Sequence, residues 1–219
     1  GINEMNATAA KAFGNIARLR ATVQKADSSY RVRTARIDGD NMNLSLSGTY
    51  APGGAANLSG QFTQSDAIPI SGSVIDLSSG IFQLSGPRGV DAISLASSGG
   101  AFSRGSIAIS DLQTSVDLRR SGDGWAGPVA LQGIAGDHPV EITSMASWSD
   151  GVFALRDIQS DYETAQLSGS LLYGGERGLD LKLNIVGDRF GLGSRHVGAF
   201  DVELSVDRAP DEDMSITAS

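Results

Sequence analysis

Apolar and polar residues alternate along much of this chain, most regularly between residues 44 and 87. In the segment LSLSGTY, Leu44, Leu46, Gly48 and Tyr50 fall on one side of an extended chain, and the intervening Ser and Thr residues fall on the other. A period of two residues predicts a β-strand with one buried face. An apolar-Ser-Gly unit recurs within this stretch and once later, beginning at Leu46, Leu58, Ile70, Leu84 and Leu167.

Turn-forming residues separate these units. They are Pro52-Gly53-Gly54, Ser65-Asp66 and Ser78-Ser79-Gly80, and such residues adopt the dihedral angles that tight turns require. Each unit is therefore predicted to be a strand of about 6 to 8 residues followed by a short turn. A fixed repeat of this kind is typical of a sheet built from successive neighbouring strands.

The rest of the chain predicts more strands. Segments 89–96 and 106–112 are expected to flank a turn at Ser97–Gly100, and 114–119 to continue past a bulge at Asp111. In LDLKLNIV, beginning at Leu179, the apolar residues keep strictly to one face. Further strands follow from the same pattern at 125–131, 140–145, 152–158, 167–173 and 200–206. We expect about 13 to 15 strands and at most one helix.

That helix is predicted near the start of the chain, over residues 3–13, where Met5, Ala9 and Phe13 form an apolar stripe and Gly14 ends it. The predicted domains are a helix or linker over 1–14, a single repetitive β domain over 15–209, and a disordered acidic tail over 210–219. Because the sequence begins Gly1-Ile2-Asn3 without an initiator methionine, we expect it to be a fragment of a longer protein.

A β-hairpin rich in arginine is predicted over residues 15–24 and 30–37. Arginines occupy alternate positions, at Arg18 and Arg20 and again at Arg31 and Arg33. Such pairs could hold phosphate or carboxylate groups, although a solvated outer face is the interpretation that we favour. The two tryptophans, Trp125 and Trp148, lie near turns and could close the ends of a sheet, but ordinary packing is the simpler expectation.

Charge and composition limit the possible functions. The 219 residues carry 25 acidic and 17 basic side chains, a net charge of −8, which argues against nucleic acid as a partner. The absence of cysteine excludes disulfides and cysteine-based metal sites. There is no apolar run of the length of about 20 residues that a transmembrane helix needs, and no signal peptide is evident.

Enzyme chemistry finds little support in the sequence, and we predict a non-catalytic protein without cofactor or metal. The histidines are His138 and His196, and a triad of Ser194, His196 and Asp188 lacks the G-x-S-x-G context of a nucleophile. Residues Asp38–Asn43 depart from a calcium loop because Met42 and Asn43 stand at its fifth and sixth positions.

A family resemblance lies in residues 152–192. The pattern L-x-D-I-x-S, a polar turn, L-S-G-x-L-x-Y, a Gly turn and L-D-L-K-L-N-I is similar to the AsmA-like superfamily, which includes TamB-like and YdbH-like proteins. The segment LSGTYAPGGAANLSGQF at 46–62 resembles the repeats of TamB-like chains, so the likeness covers roughly residues 40–206. The resemblance implies an all-β, repetitive, mainly antiparallel sheet curved into a groove (a β-taco).

The same resemblance implies a role in the cell envelope. Such proteins are anchored at the inner membrane of diderm bacteria, cross the periplasm and are implicated in phospholipid transport and outer-membrane biogenesis. The expected partners are phospholipid acyl chains, with an outer-membrane protein as a further partner. No catalytic residues come with this family. The apolar side chains expected to line the groove are Leu44, Leu46, Tyr50, Leu58, Phe62, Val74, Leu167, Leu171, Leu179, Leu181, Leu183, Ile185, Val202 and Leu204.

Two other interpretations stay open at this point. A secreted structural or adhesive β-solenoid would seal the same apolar face inside a closed core and bind protein or glycan through its polar face, because both folds require the same alternation. An enzyme of the β-helix hydrolase type would need clustered carboxylates on an outer face. Asp157, Asp161 and Glu163 form the nearest such cluster, and they have the character of turn residues.

Overall fold

The structure is a computed structural model that describes residue 13 and residues 17–70, 73–174, 178–188, 190–192, 195–208 and 215–218. The described chain consists almost entirely of β-strands. Their bounds are β1 Ala17–Ala26, β2 Ser29–Gly39, β3 Met42–Tyr50, β4 Ala56–Gln64, β5 Ile68–Ile70, β6 Ser73–Asp76, β7 Ser79–Gly86, β8 Ala92–Arg104, β9 Ile107–Ser121, β10 Gly124–Ala135, β11 His138–Ser149, β12 Val152–Tyr162, β13 Ala165–Gly174, β14 Leu179–Gly187, β15 Phe190–Leu192, β16 Arg195–Val197, β17 Phe200–Arg208 and β18 Ser215–Ala218.

Each strand of the main sheet pairs with its neighbours in sequence. The order is β1-β2-β3-β4-β7-β8-β9-β10-β11-β12-β13-β14-β17-β18, and every strand pairing whose register is described is antiparallel. The short strands β5 and β6 pair with each other, and β6 also pairs with β8. The strands β15 and β16 form a separate hairpin. In the part of the chain described, the order has two ends, so the sheet is open; the predicted all-β, repetitive, antiparallel fold is confirmed.

The chain divides into two compact units, and the boundary falls within β9. Unit 1 comprises Gly1–Asp117 and unit 2 comprises Leu118–Ser219.

Local predictions for unit 1 agree with the structure at the arginine-rich hairpin. Strands β1 and β2 are antiparallel and are joined by a turn at Asp27-Ser28, where Asp27 has a positive φ of 49°. The chain bends at Asp40-Asn41 between β2 and β3, and Asp38-Gly39 lies at the end of β2. The predicted bulge position, Asp111, also has a positive φ of 50°, although β9 continues through it as one strand.

The turn predicted at Ser97–Gly100 is wrong. These residues lie inside β8, which pairs with β7 up to Ser98 and with β6 from Ala101 onward. Gly99 has a positive φ of 75° at this change of partner. The run of small residues therefore lets one long strand change neighbours, and the chain reverses only after Arg104.

Predictions for the two ends of the chain meet the structure only in part. The helix predicted over 3–13 lies outside the described residues except for Phe13. Pro210–Asp213, the acidic part of the predicted tail, also lies outside them. Ser215–Ala218 within that tail is β18, which pairs with β17, so this portion is a strand and the prediction of disorder is wrong there. The structure describes 18 strands, more than the 13 to 15 that the sequence predicts, and among them β5, β6, β15 and β16 have only three or four residues.

The buried side chain of Gln64 stabilises the β5–β6 excursion, which is the segment between β4 and β7 that contains β5 and β6. The side chain of Gln64, 8% exposed, donates through Nε2 to the carbonyl oxygens of Asp66 and Ile75, and its Oε1 accepts from the amide of Leu77, all at 2.9 Å. Its amide group thereby satisfies backbone groups on both sides of the excursion.

Little of the apolar surface is fully buried. Among the described residues the buried apolar side chains are Ala56, Phe62, Leu112, Ala146, Ala154, Ile158, Ala165 and Val206, of which half are alanine, and no large side chain is less than 2% exposed. Several large apolar side chains of the described strands remain exposed instead, among them Leu19, Ile107, Trp148 and Tyr173.

Candidate functional site

In unit 1 the strand register brings apolar residues from successive strands onto one side of the sheet. One row runs Ala35, Leu46, Gly60, Phe82 and Leu95 across β2, β3, β4, β7 and β8. Since side chains alternate along each strand, the same side also carries the predicted residues Leu44, Tyr50, Leu58 and Phe62. We call this side the apolar face of unit 1.

Two glycines lie beside aromatic rings on that face. A Cβ atom added at Gly60 would clash with the carbonyl oxygen of Ser45 and with the ring of Phe82, and one added at Gly80 would clash with the carbonyl oxygen of Ala96 and lie 2.6 Å from the ring of Phe62. Both glycine–phenylalanine pairs are directly opposed in the sheet. Each ring therefore occupies space that a side chain larger than glycine at the facing position would need.

Unit 2 has its own apolar face, and its predicted residues share it. Leu167 faces Ile185, Leu171 faces Leu181, and Tyr173 faces Leu179 across β13 and β14. Across β14 and β17, Ile185 faces Val202 and Leu183 faces Leu204. All eight residues predicted for this part of the chain thus belong to one continuous surface. Their side chains are half-buried, without a second layer among the described residues.

An aromatic row closes one end of the apolar face of unit 2. Trp125 faces Trp148, Trp148 faces Phe153, and Phe153 faces Tyr173 across β10 to β13. Trp148 is 59% exposed and Tyr173 is 61% exposed. The expectation of ordinary packing is therefore wrong for Trp148, whose ring presents a large apolar surface to solvent, and the placement of both tryptophans at strand ends agrees with the alternative.

Val74 stands apart from the other predicted residues. It lies on β6, outside the main strand order, opposite Ser103, and is 42% exposed. Its alternation with Ile75, which faces Phe102, puts the two side chains on opposite sides.

Sequence reasoning missed several members of both faces. In unit 1 these are Phe82, Leu84, Ile93 and Leu95, for which the alternation in SGIFQLSG provided a signal. In unit 2, Phe153 and Leu155 precede a bulge at Arg156-Asp157, and Ile158 follows it on the same side. Asp157 has a positive φ of 52°, and this one-residue insertion breaks the period of two that would have revealed the strand.

The other side of the sheet in unit 1 is polar and contains a groove of about 800 Å³. Serine, glutamine and arginine side chains from β2, β3, β4, β7, β8 and β9 line it, together with Ile81 of β7 and Asp117 of β9. This groove lies on the face opposite the predicted lipid-binding residues, so it is a separate feature of the molecule.

Chemistry-bearing residues are scattered in the described chain. The described residues contain no group of three His, Cys, Asp or Glu side chains placed to hold a metal ion. His138 Nε2 lies 3.1 Å from Glu163 Oε1, and the His138 ring makes an edge-on contact with Tyr162. Of the carboxylates weighed for hydrolysis, Asp157 occupies the bulge and Glu163 a turn with a φ of 53°. Ser194 of the weighed triad lies outside the described residues.

Over the described stretches, no helix has the length and apolar character needed to cross a membrane. Comparison of the chain with models of known protein families, with curated proteins and with solved structures found no match.

Proposed function

We propose that this chain is a non-catalytic segment that binds lipid acyl chains on its apolar faces and helps to move phospholipid between the inner and outer membranes. The observation that carries the proposal is the in-register apolar surface that stays half-exposed. In unit 2 this surface runs without interruption from β13 to β17 through Leu171, Leu181, Leu183 and Leu204.

The burial pattern favours an open face over a sealed core. A closed sandwich packs the inner faces of two sheets together and buries its large side chains. Here half of the buried apolar side chains in the described chain are alanines, and large residues of the apolar faces such as Tyr50, Trp148 and Tyr173 are exposed. This counts against the structural or adhesive alternative, in which the apolar face would be covered by the protein itself.

The energetics suit a lipid that binds and leaves again. Each methylene removed from water contributes about 0.8 kcal/mol, so a chain of 14 methylenes that is half covered would gain roughly 5 to 6 kcal/mol. That corresponds to a dissociation constant of about 0.1 mM, before ordering costs and before contributions from a second chain. Affinity of this order permits movement along the surface.

The resemblance to AsmA-like proteins supplies the rest of the proposal. It suggests a periplasmic location, an inner-membrane anchor in the full-length protein and an outer-membrane protein as a further partner. Phospholipid head groups would remain in water at the open edge of the apolar surface while the acyl chains lie on it.

Native mass spectrometry with lipid extraction tests the proposal. Purified protein should carry phospholipid, and fluorescent fatty acid should bind in competition with it. Acyl chains brominated at defined carbons should quench the fluorescence of Trp125 and Trp148, because both belong to the aromatic row of unit 2. Lipid-free protein that neither binds fluorescent acyl chains nor shows quenching would refute the proposal and favour a sealed core.

A further inference from the structure

The polar groove of unit 1 crosses the strands at right angles. The groove runs along the row Ala35, Leu46, Gly60, Phe82 and Leu95, on the face opposite to the apolar side chains of that row. The residues that precede and follow each member of the row contribute to the lining of the groove. It extends from β2 to β9, which are five strand spacings apart in the sheet order. At about 4.8 Å per spacing its length is roughly 24 Å, so its shape suits a linear ligand that lies across the strands.

Side chains with hydroxyl and amide groups line the middle of the groove. They belong to Ser45, Ser47, Ser59, Ser94, Gln61 and Gln83. None of these six side chains has a hydrogen-bond partner within the portion of the protein that the structure describes. Their donors and acceptors are therefore available to a polar ligand, and each is spaced from the next by the fixed geometry of the sheet.

The β2 end of the groove carries arginine side chains, and Asp117 lies at the β9 end. Arg33 and Arg36 of β2 line the β2 end, and Arg20 of β1 lies opposite Arg36 in the adjacent strand. Arg33 donates through Nη2 to Gln24 Oε1 at 3.0 Å, and Arg36 donates through Nε to the carboxylate of Asp38, which offsets part of the positive charge. These contacts hold the two guanidinium groups in place while their remaining N–H groups can bind a carboxylate or phosphate.

A small apolar patch lies in the half of the groove nearer β9. Ile81, which is 65% exposed, and Ala96 line the groove from the adjacent strands β7 and β8, and they face each other in the register. Such a patch fits the C–H surface of a sugar ring, whose hydroxyl groups then meet the surrounding Ser and Gln side chains. Phe82, the aromatic residue of the central row, belongs to the opposite face, so no aromatic side chain is available there for stacking nucleic-acid bases.

We propose that this groove binds an acidic oligosaccharide, with the carboxylate or phosphate of one sugar at Arg33 and Arg36 and the sugar chain extending across β3, β4, β7 and β8. The site lies on the face opposite the proposed acyl-binding surface and is independent of it.

Titration calorimetry with tetragalacturonate, a linear acidic oligosaccharide, tests the proposal. The matched probe is the same tetramer with its carboxylates methyl-esterified, and inorganic phosphate serves as the simple anion. We expect the acidic tetramer to bind at least 10-fold more tightly than either, and the binding to weaken as salt is added. Equal affinity for the esterified tetramer, equal affinity for phosphate, or no binding of the tetramer at millimolar concentration would each overturn the proposal.

Variants locate the ligand within the groove. The double variant Arg33→Gln with Arg36→Gln should weaken binding of the acidic tetramer by 10-fold or more, and Ile81→Ser should weaken it by 3-fold or more. Arg18→Gln, on the same polar side of the hairpin but outside the groove, should change it by less than 2-fold. Because the arginines and Ile81 are exposed, the variants should fold, which circular dichroism verifies. A loss with Arg18→Gln as large as that with the double variant would refute the assignment.

Discussion

Replacing Leu183 by Asp places a charge in the middle of the apolar face of unit 2. Leu183 lies between Gly169 of β13 and Leu204 of β17, and its Cδ2 would be 2.8 Å from a Cβ built on Gly169. The side chain is half-buried, so its loss should lower the free energy of unfolding by only about 1 kcal/mol. The variant should therefore stay folded, with its effect concentrated on lipid binding.

The expected effect on acyl binding is much larger. A chain lying over this position would have to strip water from the new carboxylate, and burying an unpaired charge costs several kcal/mol. A penalty of about 3 kcal/mol corresponds to an affinity more than 100-fold weaker. The neutral variant Leu183→Ala removes apolar contact without introducing charge, and should weaken binding by no more than about 10-fold.

The matched control for Leu183→Asp is Ser168→Asp on the neighbouring strand. Ser168 is exposed and belongs to the opposite face of β13, so the same charge is added without touching the apolar surface. Binding is measured by displacement of a fluorescent fatty acid, and stability by urea denaturation. The reasoning fails if folded Leu183→Asp protein binds the fatty acid within 2-fold of the parent, or if Ser168→Asp weakens binding equally.

The remaining predictions concern parts of the structure that hold the faces in shape. Gln64→Ala should lower the free energy of unfolding by about 1–3 kcal/mol, because three backbone groups lose their hydrogen-bond partner. Thr63 is exposed, so Thr63→Ala should change the free energy of unfolding by less than about 0.5 kcal/mol. Similar urea midpoints for the two variants would contradict this prediction. Gly60→Ala should push against the carbonyl oxygen of Ser45 and the ring of Phe82 and cost about 1–3 kcal/mol, whereas Gly198→Ala, with open space around it, should be tolerated; equal melting temperatures would refute the close packing at Gly60. Trp148→Phe should reduce the fluorescence quenching by brominated acyl chains to the contribution of Trp125, and unchanged quenching would refute contact between the lipid and Trp148.

Alternation alone was sufficient to predict the class of fold and much of the apolar surface. Wherever a strand keeps a strict period of two, as from Leu179 to Ile185, the sequence identifies every inward residue, and the register then aligns those residues between strands. The grouping of Leu44, Leu46, Leu58 and Phe62 follows the same rule.

The pattern failed where the backbone departs from regular geometry. A bulge at Asp157 shifts Leu155 and Ile158 onto the same side although they are three residues apart. At Gly99 a strand changes partner, and its Ser and Gly residues imitate a turn. Neither event has a local signature that distinguishes it from a chain reversal, because both use the residues that tolerate positive φ.

The polar groove could not be predicted, for a different reason. Its lining includes serines, glutamines and arginines that are individually ordinary, and they come together only through the pairing of six strands. The hairpin containing Arg31, Arg33 and Arg36 gave a hint of charge. The sequence does not indicate which strands would lie beside this hairpin, or in which register.

The strictly sequential strand order has a consequence for how the chain is made. Apart from the β5–β6 excursion and the β15–β16 hairpin, each strand adds to the one before it, so the entropy of closing long loops is largely avoided. A nascent chain could therefore acquire structure progressively, one hairpin at a time, before its last residues emerge. The same arrangement would let hairpins be duplicated or deleted during evolution with damage confined to their immediate neighbours.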